Sequence, residues 1–154
     1  MKKFLQVLGI VFLFLLVLGS VVLGYSAYQV KKLNAASKDY VERNIPPILR
    51  TWSQDALVKN ASPRLVKLLT DKPEALAAIF QKTKILGEFE RIVDIKGGSN
   101  TSVTTQYGRI KSARYELATK FTNGDATVTV VLMDNSGQWQ IEGFFINSPK
   151  FLQP

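Results

Sequence analysis

The chain has 154 residues, with 20 Lys and Arg against 12 Asp and Glu, no His and no Cys. That length holds one modest domain plus an anchor, and little else. Without Cys there is no disulfide, thiolate metal site, cysteine nucleophile or acylated cysteine; without His the commonest general base, the commonest metal ligand and any Ser-His triad are gone.

The first segment is a different polymer from the rest. After Lys2 and Lys3, residues 4–30 carry no charge, and residues 7–24 are apolar except for Ser20. A spanning helix needs about 20 such residues. Tyr25 and Tyr28 fall where an aromatic interface belt would lie, followed by Lys31 and Lys32. The run exceeds the roughly 7–15 residues of a signal-peptide core, and residues 24–27 form no clean A-x-A cleavage site. An uncleaved anchor is therefore expected over a cleaved signal or a buried soluble helix. Lys and Arg on the two flanks nearly balance. The order of basic start, apolar run and domain is that of a signal-anchor, which places the N-terminus in the cytoplasm and the domain in the periplasm, on the inner (cytoplasmic) membrane. Gly9, Ser20 and Gly24 are the small residues that permit close packing against other membrane helices, Ser20 and Gly24 being four apart.

The rest of the chain keeps a basic excess, but its cations are scattered, with no basic amphipathic helix. No nucleic-acid partner is expected. Lys31, Lys32 and Lys38 sit where anionic headgroups favour them, so the lipid bilayer is an expected partner.

Residues 31–44 continue the anchor helix, and Ile45-Pro46-Pro47 is expected to stop it. Ile48, Leu49, Trp52, Ala56 and Leu57 recur at helical spacing in the next. Ser62-Pro63 reads as a cap and first-position proline of a third helix, with Leu65, Val66, Leu68 and Leu69 apolar. Asp71-Lys72-Pro73-Glu74 starts another, with Ala75, Leu76, Ile79, Phe80 and Thr83 as its buried stripe and Leu86-Gly87 as its end.

Beyond Gly87 the period changes to two. Phe89, Arg91, Val93 and Ile95 share one face of a strand, and residues 97–100 (Gly-Gly-Ser-Asn) read as a turn. Residues 101–107 and 110–121 are strands, the latter with Ala113, Tyr115, Leu117, Thr119 and Phe121 on one face. Asn123-Gly124 signals a hairpin into residues 126–133, with Val128, Val130 and Leu132 on one side. Residues 134–137 turn the chain into a last strand bearing Trp139, Ile141, Gly143 and Phe145, with Phe144 and Ile146 on the other face, so both faces are expected to be covered.

The fold class is α+β: an N-terminal transmembrane helix, then two to three helices packed on a curved antiparallel sheet of four to five strands. The expected organisation is an anchor over residues 1–30, a juxtamembrane helix or linker over 31–46 and the α+β domain over 47–154.

Four stretches carry a family resemblance: YVERNIPPILRTWSQDALVKNASPRLVKLL, the ILGEF entry to the first strand, ARYELATKFTNGDATVTVVL and the closing GQWQIEGFFINS. Together they resemble small membrane-anchored bacterial proteins of the nuclear-transport-factor-2-like superfamily, cone-shaped domains whose helices pack into a strongly curved sheet. That resemblance implies a fold more than a function. Some relatives are isomerases, dehydratases or polyketide cyclases, some bind lipids, and some are membrane-tethered assembly components. It also implies homodimerisation through the sheet.

No phosphate loop, nucleophile elbow or metal-ligand spacing occurs, so no catalytic residue, cofactor or metal is expected. Arg114 and Glu116 should face solvent, Asp94 should be exposed, and Glu142 should pair with Arg114 or Lys120 across strands. Tyr107 and Tyr115 are read as core residues of the cone. The leading expectation is a non-enzymatic accessory or assembly subunit of a larger membrane protein complex, with Trp52, Tyr115, Trp139 and Phe144 as partner or pocket contacts. It requires a filled cone and an exposed apolar patch. The alternative is a tethered binder of a lipid or quinone-like molecule, which requires a deep apolar cavity lined by Phe80, Phe89, Tyr115 and Phe144. A third reading, a His-free cyclase or isomerase, requires a carboxylate inside the cone.

Overall fold

The computed structural model describes residues 2–71, 73–104 and 108–152, except for the side chains of residues 2–15, 19, 21–23, 26, 75, 76 and 104. The chain divides into two compact units, Met1–Leu33 and Asn34–Pro154.

The first unit is the N-terminal part of helix α1 (Lys2–Thr51). Its described polar groups bond along the helix: the Ser20 hydroxyl donates to the Leu16 carbonyl at 2.8 Å, and Gln29 Nε2 donates to the Tyr25 hydroxyl at 2.7 Å. Among the described residues no helix is long and apolar enough to cross a membrane; much of the apolar run over 7–24 lies outside them.

In the second unit, α1 does not stop at Pro46-Pro47. Both prolines lie inside the helix, which runs to Thr51. An interior proline costs about 3 kcal/mol or more. The same turns bury Val41, Ile45, Ile48 and Leu49 completely, at about 1.5–3 kcal/mol per side chain, and tertiary burial overrides the local preference. Trp52 then takes φ 47°, and Ser53 caps α2 (Gln54–Asn60), its hydroxyl accepting from the Ala56 amide. The Ser62 hydroxyl accepts from the Leu65 amide at 3.1 Å at the head of α3 (Pro63–Asp71), the expected cap. Helix α4 (Pro73–Thr83) leads through a 3-10 turn (Lys84–Leu86) to Gly87 at φ 77°, the expected stop. Phe80 and Thr83 are buried as expected, but Ile79 is half exposed, because Phe80 is the residue that meets Trp52. Ala75 and Leu76 lie outside the described side chains.

The sheet is a four-stranded antiparallel meander in order β1 (Phe89–Thr104), β2 (Gly108–Phe121), β3 (Gly124–Asn135), β4 (Gln138–Asn147). Residues 97–100 are not a turn. They continue β1, with Gly97 opposite Tyr115 and Gly98 opposite Arg114. Gly97 has φ 134°, and a Cβ there would lie 2.0 Å from the Arg114 carbonyl oxygen. The glycine is needed because one strand crosses very close to the next.

Two bulges in β1, at Phe89/Arg91 and Ile92/Asp94, each insert a residue and shift the side-chain parity. Phe89, Ile92 and Ile95 therefore pack on the core, while Val93 is exposed, against the expected face of alternate residues. Strands β2 and β3 match expectation, with Ala113, Tyr115, Leu117, Thr119 and Phe121 buried opposite Ala126, Val128, Val130 and Leu132. A bulge at Glu142 flips β4 as well. Ile141 and Gly143 are buried, Phe144 and Ile146 then pack on the core, and Phe145 is 61 % exposed. The outer face of β4 is thus open at Phe145, where covered faces were expected.

The β2–β3 turn is Thr122-Asn123, with Phe121 opposite Gly124, one residue earlier than the Asn-Gly signal. It is held from outside: the Thr122 amide donates to the Glu88 carbonyl and the Asn123 amide to the Leu86 carbonyl. The β3–β4 turn uses Ser136 and Gly137, both with positive φ, the geometry a tight hairpin prefers.

Candidate functional site

The space between α1 and the sheet is solid. Leu117, Val128, Val130, Leu132 and Ile141 close on Val41, Ile45, Ile48 and Leu49, all at 0 % exposure. At one end of this core Trp52 stacks on Phe121 at 5.9 Å and tilts against Phe80 at 5.9 Å, and Phe89 meets Phe121 edge-on at 5.6 Å. Trp52 Nε1 is buried without a partner. Toward the other end the Tyr115 hydroxyl meets the Ser37 hydroxyl at 2.7 Å and the Asn34 carbonyl at 3.2 Å. Asn34 Oδ1 accepts from the Ser99 amide at 2.6 Å and from the Ser99 hydroxyl. This polar knot joins α1 to β1 and β2. Sequence reasoning missed Asn34, Ser37 and Ser99, since each reads locally as an ordinary polar residue on a helix or in a turn.

Trp139 packs, half-buried, against that core and also borders an open groove of about 450 Å³ lined by Asp39, Tyr40, Arg43, Asn60 and Gln138 among others. The Tyr40 hydroxyl donates to the Asn60 carbonyl at 3.2 Å, and burial pushes its pKa up. The Arg43 guanidinium, bonded to the Asp39 carboxylate, is held more firmly protonated. The groove presents mixed polar edges and one indole, and carries no metal-ligating cluster among the described residues.

Two carboxylates are shielded. Asp134, with its side chain 8 % exposed, pairs with Lys111 at 2.7 Å, and its second oxygen is buried without a partner. Glu142 does not pair with Arg114 or Lys120. The bulge turns it toward the α3 N-terminus, where it accepts from the Ser62 hydroxyl and from Arg64 Nη1 at 2.9 Å. Arg114 and Glu116 are exposed and pair with each other at 3.7 Å, and Asp94 is exposed beside Lys96.

The residues expected as contacts do not converge. Trp52 and Tyr115 belong to opposite ends of the core, Phe144 packs on its margin, and Trp139 alone borders a groove. Tyr107 lies outside the described residues, and Gly9 outside the described side chains. Around Gly24 an added Cβ would meet nothing within 4 Å, and Ser20 is exposed. Compared with protein-family models, curated proteins and solved structures, the chain matches none.

Proposed function

We propose that this chain is a single-pass inner-membrane protein whose periplasmic α+β domain, of the nuclear-transport-factor-2-like kind, serves as a non-enzymatic accessory or assembly subunit of a larger membrane complex. The observation that carries the reading is the filled interior. A binder of an apolar molecule needs an open cone lined by Phe80, Phe89, Tyr115 and Phe144. Phe80 and Phe89 instead pack on other aromatics, and the Tyr115 hydroxyl is spent on Ser37 and Asn34. Both shielded carboxylates are engaged by cations, which leaves neither as a free base. The exposed Phe145, beside Gly143 and Val131 on the outer sheet face, supplies apolar surface for a partner.

The test is extraction of native membranes in mild detergent, sizing under non-denaturing conditions and mass spectrometry of co-migrating proteins. Co-migration with one large assembly supports the reading. Migration alone, as monomer or dimer, overturns it.

A further inference from the structure

Strand β1 runs antiparallel to the second-unit part of α1. It starts at Phe89, over whose ring the Arg50 guanidinium lies at 5.9 Å, and reaches Ser99, whose amide bonds Asn34 at the opposite end of that helix. The β1–β2 ladder does not stop there. It continues from Asn100↔Ser112 through Val103↔Arg109 to Thr104↔Gly108, whereas the β2–β3 ladder ends at Ser112↔Met133. A two-stranded ribbon, roughly 15 Å long at about 3.3 Å per residue, therefore continues past the last β2–β3 pair, toward the Asn34 end of the domain.

Three features of the ribbon ask for a surface. Two strands alone are marginal in water. Val103, in the last pair but one of the ribbon, is 74 % exposed. Residues 95–115 contain Lys96, Arg109, Lys111 and Arg114 and no carboxylate; Arg109 is exposed and has no carboxylate partner among the described residues. Lys96, Lys111 and Arg114 are paired with Asp94, Asp134 and Glu116, so the ribbon presents one apolar side chain opposite one unpaired cation, Val103 and Arg109, a combination that suits an anionic bilayer surface, where each nearby cation adds to binding.

We propose that this ribbon is a membrane-contacting arm, seating Val103 and Arg109 among anionic lipid headgroups. The proposal rests on the tethered reading above, which supplies the bilayer surface.

The absence of Cys allows a single nitroxide label at Val103→Cys in the full chain, with Leu68→Cys as a control. The protein is reconstituted into phosphatidylcholine vesicles with and without phosphatidylglycerol. Resistance to alkaline carbonate extraction first reports whether the chain is inserted. In inserted protein, the label at 103 is expected to be shielded from a water-soluble relaxer and exposed to oxygen, several-fold more so with phosphatidylglycerol, while the label at 68 stays wet. Arg109→Gln should lower the shielded-to-wet ratio roughly fivefold. Extraction by carbonate would overturn the tethered reading. Insertion with a wet label at 103 would overturn the arm alone. Shielding that persists in detergent and rises with protein concentration would assign the ribbon to a second copy and overturn the lipid assignment.

Discussion

The hydroxyls of Ser37 and Tyr115 lie 2.7 Å apart inside the protein, 78 residues apart along the chain. One donates to the other, and the remaining proton reaches the Asn34 carbonyl, which lies 3.2 Å from both. A buried pair of this kind is satisfied only when helix and sheet are in register, so it fixes how α1 seats on β2. Tyr115→Phe and Ser37→Ala should each cost about 0.5–1.5 kcal/mol. The double variant should cost less than the sum, because the singles remove one shared bond. Urea unfolding in mild detergent measures all three; strict additivity would show that the hydroxyls are not coupled.

Gly97 and Gly98 are adjacent in sequence and unequal in structure. At Gly97 a Cβ would strike the Arg114 carbonyl at 2.0 Å and the backbone has positive φ; at Gly98 it would meet only Asn34 Oδ1, at 3.2 Å. Gly97→Ala should destabilise by about 2 kcal/mol or more, and Gly98→Ala by clearly less. Thermal melts of the two variants side by side give the contrast, and equal losses would contradict this geometry.

Glu142 is the point where the helices fasten to the last strand. Ser62→Ala removes an N-cap, worth about 1 kcal/mol, and takes a donor from a carboxylate only 11 % exposed. Arg64→Gln should cost little, since Arg64 is 78 % exposed and such pairs contribute about 0–1 kcal/mol. Urea midpoints for both should rank Ser62→Ala as the more damaging; the reverse order would mean that the ion pair rather than the cap holds α3.

Burial raises the Tyr40 pKa in the folded protein. Burial disfavours the phenolate, so this contribution is fully present below the unfolded value, about 10, and is lost as pH rises through the folded value. Stability should be flat in this respect through neutral pH and fall in strong alkali. Tyr40→Phe should flatten the alkaline limb of a melting-temperature profile. An unchanged limb would assign the alkaline loss to another group.

How much was legible depended on how local the cause is. The Ser62 cap, the Gly87 stop and the inward columns of β2 and β3 follow from backbone geometry and alternation within a few residues, and the sequence alone determined them, along with the α+β order and the absence of His and Cys chemistry. The tertiary structure decided the rest. Pro46 and Pro47 stay helical because Ile45, Ile48 and Leu49 are buried around them, an energy that a local preference does not contain. Gly97-Gly98 is strand rather than turn because β2 passes against it. The three bulges reassign Arg91, Ile92, Val93 and Phe145 to faces that strict alternation gets wrong, since one extra residue flips the side chains after it, and the second bulge of β1 restores Ile95 to the face of Phe89. The knot of Asn34, Ser37, Ser99 and Tyr115 was illegible for the same reason: its bonds join residues 65 and 78 positions apart, and only packing brings them within reach.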